Sequence, residues 1–337
     1  LETWTLLQNI WFVLIGVLFV GYAILDGFDL GIGSLFPILT KNEKEKAVLY
    51  RAIGPFWDGN EVWLLTGGGA LFAAFPQTYA TVFSGLYLAL MLVLFALIFR
   101  AISLEFRTHD LKRQKMWDAA FIIGSLLPSL LFGVALGNVI LGIPLDANMD
   151  YTGSFFTLLR PYPLLIGLLG LVAILLQGAT YAAFKIEGEI QKRARSTAEK
   201  LLIVQALLIV ASLFASVLII PDAAQKWLAW VFTAVVVVCL LLAKRALSKK
   251  TDSQALLFSS ISFGGLWGIA GAVHFPNLVK ASNDASLSLT MYNSSSSELT
   301  LKVMSVIAVI GMPSVIGYTI YLFRVFKGKV KTEEKAY

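Results

Sequence analysis

Two histidines, one cysteine and 14% charged residues are all that this 337-residue chain holds of the groups that bind metals or cover a soluble surface. A lone cysteine, Cys239, offers neither a disulfide nor a thiolate metal site, and in its apolar run it reads as a small buried side chain. His109 lies in a charged stretch and His274 at the end of an apolar one. A bis-histidine haem needs two imidazoles at similar depth on facing helices, and zinc or di-iron clusters need more ligands than these. The chain is therefore expected to ligate no haem and no metal itself. About a quarter of the residues in soluble domains are charged. With so few charges, 58% hydrophobic residues and a mean hydropathy of +0.77, this is expected to be an all-α integral membrane protein.

A membrane span takes about 20 mostly apolar residues. Nine such runs are expected, at 8–38, 52–75, 78–101, 118–140, 162–183, 200–220, 227–244, 254–274 and 301–324, which leaves no room for a soluble domain. Residues 1–337 thus read as one polytopic unit, with spans over 8–140, over 162–274 and a last helix at 301–324. The net charge of +6 looks at first like a nucleic-acid signal, but its distribution removes that reading. Of 27 basic residues, 23 fall in alternate connections and in the tail, with Arg100, Lys185, Lys331 and Lys335 among them. Arg160, Lys226, Lys280 and Lys302 make up the other side. The positive-inside rule then puts the N-terminus outside and the C-terminus in the cytoplasm, which an odd number of spans satisfies. No Lys or Arg precedes the first run, it is too long for a signal-peptide core, and no small-x-small site follows it, so it is expected to remain as a span.

Acids stand where lipid-soluble helices should have none. Asp26 and Asp29 lie deep in the first span, and Trp57-Asp58-Gly59-Asn60-Glu61 opens the second. An ionised group at a helix centre costs about 2.5–3.5 kcal/mol on insertion scales, so such residues usually face a protein interior or a water-filled path. With a rise of 1.5 Å per residue, Asp29 is roughly 16 Å from the cytoplasmic end of its helix, Asp26 is one turn further out, and Asp58 is about 10 Å beyond Arg51. Asp26 and Asp29 share a face, as do Asp58 and Glu61. Carboxylates at staggered depths suit a proton ladder; a structural hydrogen bond between helices is the competing reading.

Gly27-x3-Gly31, Gly133-x3-Gly137 and Gly264-x3-Gly268 are small-x3-small patterns that let helices approach closely. Gly67-Gly68-Gly69 fits a packing face or a local unwinding, while a phosphate-binding loop is excluded because no strand precedes it and no Lys-Ser/Thr follows. Asn138, Gln177 and Thr180 read as interhelical glue, and His274 as structural or interfacial. The polar, Ser-rich stretch from Asn283 to Ser297 reads either as an ordered cap over the helix ends or as a flexible loop.

Taken together, these residues resemble subunit II of the cytochrome bd quinol oxidases. The resemblance is carried by Gly21-Tyr22-Ala23-Ile24-Leu25-Asp26-Gly27-Phe28-Asp29-Leu30-Gly31 and by Gly54-Pro55-Phe56-Trp57-Asp58-Gly59-Asn60-Glu61-Val62-Trp63-Leu64. It continues through Phe99-Arg100, Glu105-Phe106-Arg107, Trp117-Asp118, Gly133-Val134-Ala135-Leu136-Gly137-Asn138, Gln177-Gly178-Ala179-Thr180-Tyr181 and Ser288-Leu289-Thr290-Met291-Tyr292. It is densest over 10–181 and thin over 200–255. The resemblance implies two four-helix bundles plus one peripheral helix. It also implies a subunit I partner carrying two b-type haems, one d-type haem and the quinol-oxidising loop, in a bacterial or archaeal cytoplasmic membrane. Such a complex oxidises quinol, reduces O2 to water with cytoplasmic protons, and builds a proton gradient without pumping. By the same resemblance Asp58 is the cytoplasmic-side carboxylate of a proton route along the subunit interface, with Glu61, Asp29 and Asp26 as further steps. Glu61 stands where some members have Gln. Some members hold a structural quinone near the positions of Trp57, Asp29 and Arg100, and a small single-helix accessory subunit is compatible with the family. A proton-coupled transporter is the main alternative, since intramembrane acids are expected there too. A purely structural scaffold is the third reading.

Overall fold

The computed structural model describes residues 2–220 and 222–331; Lys335 of the basic tail lies outside the described residues. Long apolar segments satisfy their backbone groups in lipid only as helices or closed barrels, and helices make up most of what is described. In chain order they are α1 (Glu2–Leu39), α2 (Glu43–Ile53), α3 (Trp57–Ala74), α4 (Pro76–Gly85), α5 (Tyr87–Phe106) and α6 (Gln114–Leu141). After these come α7 (Pro161–Lys185), α8 (Glu189–Ile219), α9 (Trp227–Ser248), α10 (Asp252–His274) and α11 (Glu298–Val325). A short antiparallel pair, β1 (Asn277–Val279) and β2 (Leu289–Thr290), lies between α10 and α11.

Eight of the described helices, α1 and α5 to α11, are long and apolar enough to cross a membrane. The expected second span, α3, is not among them, because its 18 residues begin with the polar turn at Trp57–Glu61. The expected third span, 78–101, is divided. Pro76 cannot continue α3 and instead starts α4. That helix stops at Leu86, where the backbone leaves the helical region (φ −101°, ψ 16°) and Gly85 lies against the Tyr151 ring.

The connections rich in Lys and Arg gather at one end of the molecule, the basic end. There α2 is started by Asn42, whose side chain accepts from the Glu45 N–H, and it carries acids in its first turn and Arg51 in its last. Arg107 binds Asp118 and Glu43, Lys46 binds the same two acids, and Arg193 holds Glu45. Arg100 departs from the expected distribution: it is fully buried inside α5, not in a basic connection, because carboxylates on α1 and α3 neutralise it.

Helix α1 forms the centre and packs against α3, α6, α7 and α10. Its close approach to α7 depends on two glycines. A Cβ on Gly31 would collide with the Ile174 carbonyl and Gly178, and one on Gly178 with the backbone of Gly31. The triplet Gly67-Gly68-Gly69 stays helical within α3, with Gly67 against Phe19, so it is not an unwound segment. Helix α11 is peripheral, with Leu301 its one buried residue among those described.

At the opposite end the Ser-rich connection forms an ordered cap. Trp4 donates to the Ser296 carbonyl (3.2 Å), Gln8 to Ser295 Oγ (2.7 Å), and Trp11 to the Leu301 carbonyl (3.2 Å) and Ser305 Oγ (3.1 Å). The Ser296 N–H bonds the Ala74 carbonyl (2.8 Å), and Thr78 bonds Ser294 (2.9 Å). These bonds tie the start of α1 and the end of α3 to the start of α11.

Candidate functional site

Three helices bring polar side chains to one place in the first half of the chain. Asp26 and Asp29 come from α1, one turn apart; Asn60 and Glu61 come from the polar first turn of α3, and Arg100 comes from α5. Arg100 donates twice to Asp26, from Nη1 to Oδ2 (3.0 Å) and from Nη2 to Oδ1 (2.7 Å), and Nη2 also donates to Glu61 Oε1 (2.7 Å). Both Asp26 and Arg100 are fully buried, while the Glu61 side chain keeps 24% of its surface. Bidentate pairing is the arrangement that repays a guanidinium most for lost hydration, and it leaves Asp26 no bare charge. Gly124 of α6 makes room for the pair: a Cβ there would lie 2.8 Å from the Arg100 backbone nitrogen, so α5 could not come as close.

Asp29 is held differently. Its Oδ2 accepts from Asn60 Nδ2 (2.7 Å), while the same amide reaches the Leu25 carbonyl (3.3 Å). Asp29 Oδ1 is buried and has no hydrogen-bond partner among the described residues, and the same is true of Arg100 Nε. Buried polar atoms without partners are uncommon and mark places where a water or ligand atom bonds. Asn60 is itself buried, and nothing about its chemistry singled it out in the sequence. Its place beside two acids in an otherwise apolar run was the available signal.

Asp26, Glu61 and Arg100 are thus brought together, and Asp29 joins them through Asn60 on the same turn of α3. Asp58 does not join them: its side chain is exposed on the outer surface of α3, although it lies one turn before Glu61. Trp57 is half-buried beside it. The shared face expected of Asp58 and Glu61 holds along the helix, but Glu61 turns inward because Arg100 draws it there. Arg100, named in the sequence as a contact for a quinone, is foremost the counter-ion of Asp26.

The other polar groups form two further networks, one joining α7 to α10 and α1, the other tying α6 to the segment that leads into α7. Gln177 of α7 donates to Ser260 (2.7 Å) and to the Ile24 carbonyl of α1 (3.3 Å), and it accepts from Ser259 (2.9 Å), which also bonds Thr180 (2.9 Å). Asn138 donates to the Leu158 carbonyl (2.7 Å) and accepts from Arg160 (3.1 Å). Both arrangements join helices, as glue residues do. His109 follows α5 at the basic end, and His274 closes α10 at the other. Among the described residues no three His, Cys, Asp or Glu side chains converge as a metal-ligand set.

With this geometry in place, the comparisons with known proteins are informative. The profile of the family described as cytochrome bd terminal oxidase subunit II matches residues 7–326. The chain is 35% identical over 367 aligned positions to the cytochrome bd-I ubiquinol oxidase subunit 2 of Escherichia coli K12, covering 97% of this chain and 96% of that one. It is 36% identical to the cytochrome bd ubiquinol oxidase subunit 2 of Bacillus subtilis, covering 97% and 98%. A chain in the solved structure of bd oxidase from Geobacillus thermodenitrificans has the same fold, with a TM-score of 0.82 at 16% identity over 95% of this chain and 98% of that one.

Proposed function

The chain belongs to the cytochrome bd terminal oxidase subunit II family, and from that membership we propose that it is the haem-free partner of a subunit I in a bacterial cytoplasmic membrane. In this reading the complex oxidises quinol and reduces O2 to water, and subunit II supplies proton access and support. The basic end faces the cytoplasm, and α3 crosses as a short ninth span with a polar head. Residues 1–337 act as one polytopic unit, in which α1–α6 and α7–α10 are the two bundles. Two b-type haems and one d-type haem belong to subunit I and supply the electron transfer and oxygen chemistry there.

The observation that carries the proposal is the arrangement at the head of α3. Asp58 is exposed toward whatever packs on that face, Glu61 is half-buried one turn on, and behind it lie Arg100, Asp26 and the Asn60–Asp29 pair. Protons taken from the basic side reach Asp58 first, and the acids behind it hold or relay them without exposing a bare charge to lipid. Charge then separates across the membrane because electrons and protons arrive from opposite faces. Arg100 Nε is a buried donor with no partner among the described residues, which fits a quinone carbonyl; a structural quinone near Trp57, Asp29 and Arg100 therefore suits these residues, and its chemistry would be to fill and stiffen that site.

Purification in mild detergent tests the class. A second hydrophobic polypeptide with d-type haem absorbance should accompany this chain. Iron porphyrin ligated by this chain's own side chains, or transport activity of the chain alone, would overturn the reading.

A further inference from the structure

Beyond α11, residues 326–331 cross the basic end as a strap that touches α2, α7 and α10. The Val330 N–H donates to the Lys185 carbonyl (2.8 Å), and the Glu187 N–H donates to the Val330 carbonyl (3.3 Å), so Val330 lies parallel to Ile186 past the end of α7. Arg51 of α2 donates to the Lys331 carbonyl (3.3 Å), and Lys329 lies 3.8 Å from Asp252 at the start of α10. Gly328, at φ +108°, turns the chain into this path. Lys185 is the key of the strap. It is buried, its Nζ donates to the Phe326 carbonyl, and the same ammonium lies 5.4 Å above the Phe56 ring. Phe56 is the residue before α3. Its other neighbours are Phe323, stacked at 4.6 Å between ring centroids, and Phe326, edge-on at 6.1 Å. One turn into α3, a Cβ on Gly59 would meet Tyr318 of α11 at 3.9 Å.

Among the described residues no carboxylate faces the Lys185 ammonium, and a buried ammonium is costly unless hydrogen bonds replace its lost hydration, so the Phe326 carbonyl and the Phe56 ring are what hold it. We propose that Lys185 is a positioning residue: through the strap it clamps α11 onto Phe56 and so fixes the turn of α3 that carries Trp57 and Asp58. The clamp explains how α11, nearly bare along its length, keeps a defined place against α3. Its effect on turnover rests on the reading of Asp58 as the first proton acceptor.

The test uses the assembled oxidase with Lys185→Met, Lys185→Arg and Val330→Pro, each kept only if haem content is that of the unaltered complex. Hydrogen exchange is followed at 57–61 and 318–326, and O2 consumption is followed alongside. Lys185→Met and Val330→Pro should each raise exchange in both segments by about tenfold, the factor expected when such bonds are lost locally. O2 consumption should fall severalfold, and Lys185→Arg should restore both. Unchanged exchange at 57–61, or Lys185→Arg behaving as Lys185→Met, overturns the proposal. So does faster exchange with full turnover while Asp58→Asn still slows the enzyme. If Asp58→Asn has no effect either, the reading of Asp58 has failed, and exchange alone decides the clamp.

Discussion

Asp26 and Arg100 lie 74 residues apart in the chain and meet in two hydrogen bonds, of 2.7 and 3.0 Å, with neither side chain touching the surface of the molecule. Neither is tolerable in that place without the other. Arg100→Gln should destabilise the subunit by about 3–5 kcal/mol, the cost of stranding a buried partner charge. Combining it with Asp26→Asn should recover much of that loss. Thermal melting of the purified complex checks both values, and full additivity of the two changes would show that the residues are not coupled.

Asn60→Leu should leave Asp29 in place with no donor at either oxygen. The expected loss is about 1–3 kcal/mol in stability, the penalty for a buried acceptor left unsatisfied, with a larger fall in oxidase rate than Asn60→Gln, which keeps the amide donor, produces in the assembled complex. Equal rates for the two variants would detach Asn60 from the function of Asp29.

Asp58→Asn should slow O2 consumption about tenfold or more while haem spectra and subunit content stay intact, since the side chain is exposed. Asp29→Asn should instead disturb assembly, because that carboxyl is buried between α1 and α3. Identical behaviour of the two variants would argue against separate roles.

Acid should loosen the basic end. The Glu43 carboxyl is held below its ordinary value of 4.5, chiefly by the Lys46 hydrogen bond and, against a small burial cost, by Arg107. A carboxyl lowered in the folded state adds stability above its unfolded pKa and loses it as pH falls through the folded one. The melting temperature should therefore drop on acidification below about pH 4.5, the range in which an unperturbed Glu titrates. Glu43→Gln should make that drop shallower, and the size should be small because Glu43 is mostly exposed.

Much of this was legible in the sequence because hydropathy and the distribution of Lys and Arg are properties of single residues summed along the chain. The acids at 26, 29, 58 and 61 stood out for the same reason, and the close approach at Gly31 followed from its spacing. What the sequence could not supply was direction. Arg100 read as one more positive charge near a helix end until α5 turned it toward Asp26. Leu86 carries no turn signal, so the division between α4 and α5 had only Pro76 and Gly85 to announce it. The pairing of Lys185 with the last residues joins positions 141 apart, and no periodicity records a contact of that kind.

The bonds from Trp4, Gln8 and Trp11 to the stretch around Ser295 and Leu301 also impose an order on synthesis. Helix α1 leaves the ribosome with outermost indole and amide groups that are satisfied only by residues translated roughly 290 positions later. Insertion can begin at once, but closure of the subunit waits for α11, so a chain halted before Ser295 would display unmet donors at the top of its central helix and present quality-control proteases with a recognisably unfinished product.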